Sequence, residues 1–309
     1  MIRKSKSKIP VILDTDIGED IDDTWALAML LKSPELDLKL VVTDTGNTTY
    51  RTKIAARMLE AAGRTDVPLG IGLYFDGQLG RQAEWVEGYD LSSYPGIVFE
   101  DGVGALINTI MDSPKPITII SIGPVPNIAE ALTREPRIGG RARFVGMQGC
   151  LRKSPLDIQG GGGFIAEYNV YTNPKACQKV FTAPWDMTIT PLDTCGFVRL
   201  SSKKYRVVRE CKDPLIQALM QNYMVWLKNG NERWQEEFEA RSSILFDTVA
   251  VYLSFSQELL HMEKLGVRVT DDGHTVIDDK AKVINCATEW KNLAAYESFL
   301  VERLAEKKV

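Results

Sequence analysis

Histidine is almost missing from this chain: the 309 residues hold two. Histidine is the usual general acid or base near neutral pH. Proton chemistry here would therefore fall to carboxylates, a metal, or both. His261 follows Leu259-Leu260 in a stretch with helical periodicity, and His274 sits in the turn Asp271-Asp272-Gly273-His274. Neither belongs to a motif, and both read as structural or surface residues. Cysteine is scarce and scattered. The five, at positions 150, 177, 195, 211 and 286, form no Cys-x-x-Cys pair, which excludes zinc-ribbon and thioredoxin readings. They suit reduced, mostly buried thiols. No apolar run reaches the about 18 residues of a membrane span. A net charge of −4 leaves no broad basic footprint for nucleic acid. Neither membrane nor nucleic acid is an expected partner. Residues 1–8 form a basic tail, Arg3-Lys4-Ser5-Lys6-Ser7-Lys8, and the apolar stretch behind it breaks at Asp14. That is too short for a signal peptide, and the expectation is a cytoplasmic protein.

What is present is an alternation of short apolar runs with helical periodicity. Strands are expected at 9–13, 38–43, 67–71, 117–122, 142–147 and 187–190, and helices at 22–32, 52–62, 104–111, 126–133 and 172–181. Residues 72–101, rich in Gly, Tyr, Trp and charge, read as a long functional loop. Beyond 200 the chain turns helical (213–228, 236–240, 245–261), then carries a hairpin-like segment at 266–285 and a last helix at 289–306. Alternating strands and helices predict βαβ units. The expected fold class is α/β: a single large domain over 1–309, with an open, mainly parallel central sheet flanked by helices around a Rossmann-like core. Functional loops should lie at the carboxyl ends of the strands.

The strongest local signal is Asp14-Thr15-Asp16-Ile17-Gly18-Glu19-Asp20-Ile21-Asp22-Asp23, at the end of the first strand and the start of the first helix. So many adjacent carboxylates are costly unless a cation neutralises them. Hard oxygen donors imply Ca²⁺ or Mg²⁺ rather than zinc. An EF-hand is excluded, because Glu19 stands where that loop needs glycine and Trp25 where it needs glutamate.

This segment resembles the signature of the inosine–uridine nucleoside hydrolases, Asp-Thr-Asp-x-Gly followed by Asp-Asp at a helix start. The resemblance continues in Thr45-Gly46-Asn47, in Gly123-Pro124-Val125-Pro126-Asn127-Ile128-Ala129, and in Met147 at a strand end. It extends through Ala166-Glu167-Tyr168-Asn169 and Asn173-Pro174-Lys175-Ala176 to Asp247. In order and spacing these pieces cover about residues 9 to 250.

The resemblance implies Ca²⁺-dependent hydrolysis of the N-glycosidic bond of ribonucleosides. It gives Asp16 as general base toward a water on the cation and as a metal ligand. Asp23, Asp247 and the main-chain carbonyl of Pro126 complete the ligand set. Asp14 would orient the water or Asn47. Asp22, Met147, Glu167 and Asn169 would meet the ribose. A homodimer or homotetramer and a role in purine or pyrimidine salvage are further implications.

Three departures stand out. Two extra residues separate Gly18 from the Asp pair, and the pair is placed at Asp22-Asp23 because Thr24-Trp25-Ala26-Leu27 continues the helix, leaving Asp20 in the connecting loop. Phe246 replaces the histidine that often precedes the last Asp. An asparagine expected before Glu167 falls in the Gly160–Gly163 run. The leaving-group half of the site therefore does not match, and its candidate residues are Tyr74, Phe75, Glu84, Trp85, Tyr223, Trp226, Trp234, Arg241 and Phe246. Two other readings stand beside this one. One is a relative acting on, or only binding, a different pentoside or carbohydrate. The other is an Asp-x-Asp phosphatase, with Asp14 as nucleophile and Asp271-Asp272 as its distal acidic pair.

Overall fold

The computed structural model describes residues 7–155 and 164–306. The Gly160–Gly163 run and most of the basic tail lie outside them. The described strands are β1 (Ile9–Thr15), β2 (Leu36–Thr43), β3 (Leu69–Ile71), β4 (Val98–Phe99), β5 (Ile117–Ser121), β6 (Ala142–Met147), β7 (Met187–Thr190), β8 (Leu260–Val269), β9 (Thr275–Ile277) and β10 (Val283–Trp290). The helices are α1 (Asp22–Leu31), α2 (Thr48–Ala61), α3 (Gly102–Asp112), α4 (Pro126–Arg134), α5 (Tyr168–Thr172), α6 (Pro174–Thr182) and α7 (Leu192–Cys195). They continue as α8 (Ser202–Arg209), α9 (Pro214–Lys228), α10 (Trp234–Ala240), α11 (Thr248–Leu253) and α12 (Leu293–Ala305).

All ten strands form one sheet in the order β4-β3-β2-β1-β5-β6-β7-β10-β8-β9. From β4 to β10 the pairings are parallel; β8 and β9 add an antiparallel edge. Parallel strands covered on both faces carry continuous apolar runs, and β1 does so. Val11 and Leu13 enter one core, with α1, α2 and α9, while Ile12 enters the other, with α3, α4 and α6. Helix α1 is buried all round and packs on α2, α9, α11 and α12, as a helix apolar on every side must. The chain runs outward from β1 through β2 to β4, then returns to pair β5 on the other side of β1. That reversal is a topological switch point, where α/β folds open a crevice beyond the strand ends. Asp14 to Asp16 leave β1 there, and Ile122-Gly123 leave β5.

The expected α/β class and central strands are found. The C-terminal expectations need correction. The helix expected at 245–261 ends at Leu253, and His261 lies on β8, paired opposite Glu289. The last helix starts at Leu293, because 283–290 is strand β10. The hairpin is wider than 266–285. Helix α8 was not anticipated. The helix expected at 172–181 is found as α6, which starts at Pro174 with Asn173 capping the amide of Ala176, and the short α5 before it was not anticipated. The 72–101 segment contains the short edge strand β4 and single 3-10 turns at Ala83–Val86 and Leu91–Ser93.

Candidate active site

Four successive main-chain carbonyls of the acidic loop are held from outside it. Arg51 Nη1 donates to Ile17 O (3.1 Å), the Tyr50 hydroxyl to Gly18 O (2.9 Å), Trp226 Nε1 to Glu19 O (2.9 Å) and Gln82 Nε2 to Asp20 O (2.6 Å). Gly18 has φ +121°, a conformation side chains rarely adopt, and a Cβ there would meet the Tyr50 ring at 2.9 Å. Gly123 serves closeness instead: its Cβ would lie 2.8 Å from Asp44 Oδ1 and 2.9 Å from Asp16 N.

The loop lines a cavity of about 410 Å³ beyond the switch point. Its wall includes Asp16, Asp20, Asp22, Asp23, Met147, Glu167, Asn169, Phe246 and Asp247. Carboxylate oxygens of Asp22, Asp23 and Asp247, all three buried, lie within 4.8 Å of one another. Asp22 and Asp23 come from the first turn of α1, and Asp247 stands at the start of α11. Thr15 Oγ1 donates to Asp23 Oδ1. Burial first, then repulsion from neighbouring carboxylates (Asp20 on Asp22, Asp16 on Asp23, Asp22 on Asp247), pushes all three carboxyls well above the usual range. Asp16 stands outside this close group. Burial pushes it up to about 7, with the nearby Arg51 guanidinium opposing and Asp44 adding repulsion.

Across the cavity Glu167 is likewise pushed up to about 7 by burial, although it accepts from the amides of Gly149 (2.8 Å) and Asn169 (2.7 Å). Asn169 Nδ2 donates to the carbonyls of Met147 (3.1 Å) and Ile122 (3.3 Å). Asn169 thereby ties the ends of β5 and β6 to this wall.

Three of the expected residues, Asp14, Asn47 and Pro126, lie off the cavity wall. Asp14 is fully buried behind the cavity, and its partner is Asn127 Nδ2 (2.9 Å), not Asn47. Burial pushes it up to about 6. Asn47 caps α2, accepting from Tyr50 N (3.0 Å), and does not line the cavity. Pro126 starts α4 and is not among the lining residues either. Asp22 joins the close carboxylate group in place of Asp16. Asp20, expected only in the connecting loop, is on the cavity wall. Sequence reading also passed over Asp44, buried against Asp14, and the positioning roles of Asn127 and Arg51. Asn127 was visible in the Gly123–Ala129 motif; the other two carried no local signal.

The profile of the inosine-uridine preferring nucleoside hydrolases matches residues 11–305. The chain belongs to that family. A pyrimidine-specific ribonucleoside hydrolase of Escherichia coli (RihA) is 28% identical over 242 residues, covering 73% of this chain and 74% of the relative. A plant nucleoside hydrolase (PpNRh1) superposes with a TM-score of 0.81 at 22% identity, covering 97% of this chain and 100% of its own. The purine-preferring ribonucleoside hydrolase of Gardnerella vaginalis gives 0.75 at 21%, covering 96% and 98%. The protein is thus a hydrolase of the N-glycosidic bond of nucleosides, from a metal-dependent family.

Directly before Asp247 stands Phe246, where the resemblance leads to the expectation of a histidine. Phe246 lines the cavity and offers no proton. His274 stacks on Phe164 (5.1 Å), His261 is exposed on β8, and neither lines the cavity. The phosphatase reading falls. Asp14 does not face the cavity, and Asp271 and Asp272 bond to Gln178 and Thr270 in a surface turn. Among the described residues no helix is long and apolar enough to cross a membrane.

Proposed function

We propose that this chain, acting as one domain over 1–309, hydrolyses ribonucleosides with a Ca²⁺ held by Asp23 and Asp247, with Asp22 beside them, and with Asp16 as general base. The observation that carries this reading is the close group of three buried carboxylates on the same cavity as Asp16 and Glu167. Such a group fits a hard divalent cation: its oxygens face one another, and no Lys or Arg lines that cavity. A bound cation would neutralise the carboxylates and polarise a water and the vicinal sugar hydroxyls. The chain's own residues do the rest. Asp16, outside the close group, takes the proton of the attacking water. Asp22, Glu167 and Asn169 face the ribose, and Met147 packs beneath it. The carbonyl of Pro126 is set aside as a donor. Asp14, through Asn127, positions the strand end that carries Asp16.

The test is a ribose-release screen over purine and pyrimidine nucleosides, with and without chelator. Release that stops on chelation and returns with Ca²⁺ is expected. No release from any nucleoside overturns the reading, and release indifferent to chelator overturns its cation. Light scattering on the eluted protein checks the accompanying expectation of a homodimer or homotetramer.

A further inference from the structure

A second cavity, of about 440 Å³, adjoins the first, and Asp20 and Phe246 line both. Its other walls include Arg81, Arg199, Tyr223, Trp226 and Arg241. Most of its polar groups are already committed. Arg241 is held in a two-point ion pair by Glu237 (2.6 and 2.8 Å). Arg81 lies over the Trp226 ring (3.9 Å to the centroid), within reach of the Asp20 charge. The Tyr223 hydroxyl donates to Arg241 O (3.0 Å), and its ring stacks on Trp226 at 6.0 Å.

Arg199 differs. Its Nε is shielded from water without a hydrogen-bond partner, and its guanidinium has no ion pair among the described residues. The Ser243 hydroxyl is likewise unpartnered. The chain on either side of Arg199 is fixed: Leu245 N bonds Val198 O (2.9 Å), Ser242 N bonds Leu200 O (2.9 Å) and Leu200 N bonds Ser242 Oγ (3.0 Å). Val198 and Leu200 are fully buried, and Arg199 between them lines the cavity. Arg199 as a whole is only partly buried, but a shielded Nε–H without an acceptor is costly. An anionic ligand group would remove that cost.

We infer that the second cavity receives the departing nucleobase and that Arg199 is a further catalytic residue, accepting the negative charge that the base acquires. This rests on the hydrolase reading above and supplies what Phe246 cannot. Water oxygen bonds to C1′ as the C1′–N bond breaks, and the electron pair of that bond goes to the base nitrogen. The water proton goes to Asp16. The base leaves as an anion held by Arg199, takes a proton from solvent on release, and Asp16 returns its own proton to solvent. The Tyr223–Trp226 stack offers the base a flat apolar wall.

The test compares Arg199→Gln and Arg199→Lys with the unaltered enzyme on uridine, inosine and p-nitrophenyl riboside, whose leaving group departs as a stable anion. Removing one preorganised charge stabiliser should lower kcat on the nucleosides about 100-fold. On the nitrophenyl substrate kcat should stay within about threefold, because little charge needs stabilising there. Arg199→Lys should recover part of the nucleoside rate. Equal losses on all three substrates, or no loss on any, overturn the inference while leaving the hydrolase reading intact. If the unaltered enzyme releases ribose from none of the three, the hydrolase reading itself fails. Unchanged circular dichroism and an unchanged Ca²⁺-induced shift in Tm establish that the variants are folded.

Discussion

Two cavities share a wall in this protein, and their charges are sorted. The one beyond β1 and β5 is lined by Asp16, Glu19, Asp20, Asp22, Asp23, Glu167 and Asp247, with no cationic residue. Its neighbour is lined by three arginines, and of its two acidic residues Glu237 already holds Arg241. Opposite charges on adjoining walls would normally pair. Here the separation is maintained by rigid main chain: the acidic loop is held at four successive carbonyls, and Arg199 sits between two residues bonded to the 242–245 segment. The contrast suits a reaction whose two ends have opposite demands. The sugar becomes oxocarbenium-like and welcomes a cation-bearing acidic site; the base becomes electron-rich and needs donors.

The largest effect should come from Asp16→Asn. Losing the general base should cost kcat about 1,000-fold, yet leave the Ca²⁺-induced rise in Tm, since Asp16 is outside the close carboxylate group. Asp20→Asn, on the shared wall, should cost less than about tenfold, or ~1.4 kcal/mol. Equal kinetic losses would erase the distinction between loop and site.

Next comes Asp247→Asn. It should abolish the Ca²⁺ response in a thermal melt. In chelator it should also raise Tm by a few degrees, because it removes one of three mutually repelling buried carboxylates, a term worth about 1–2 kcal/mol. A lower Tm in chelator would show that Asp247 serves packing rather than cation binding.

The pH dependence sharpens the same point. Asp14 is held up to about 6, and Asp16 and Glu167 up to about 7. The native state therefore keeps these protons to higher pH than the unfolded chain, in which carboxylates titrate near about 4. Stability in chelator should fall as pH rises from about 4 through about 7. Protons and cation compete, so Ca²⁺ should raise Tm more at pH 8 than at pH 5. A flat profile in chelator would show that the cluster is not under charge strain.

The smallest effect is expected from replacing both histidines. His261→Gln with His274→Gln should change kcat on a good nucleoside by less than about tenfold. A collapse of uridine cleavage in that variant would remove the need for Arg199.

How much of this could be read in the chain depended on how local the cause was. The apolar runs at 9–13, 117–122 and 142–147 identified the central strands because burial on both faces leaves no place for polar residues. Only the end of strand β8 was legible: 266–269 fell within the expected hairpin, while Leu260-His261 read as the tail of a helix and 262–265 carry polar residues at irregular spacing. Its conformation comes from pairing with β10 and β9, a partner effect that outweighs local propensity. Asp22, Asp23 and Asp247 were named together only through the ordered set of motifs, since more than two hundred positions part the last from the first two.

By itself, the sequence determined that only two histidines are present, that an acidic loop follows the first strand, and that no histidine stands before Asp247. Those are facts of residue type and order. The tertiary structure alone decided that Asp22 rather than Asp16 completes the close carboxylate group and that Asn127 rather than Asn47 holds Asp14. It also decided that Arg199 faces a cavity next to Phe246 with nothing to bond. Each of these depends on the direction of a side chain and on a neighbour brought from a distant element. That information resides in the packing of β1, β5, α1, α9 and α11 around one switch point.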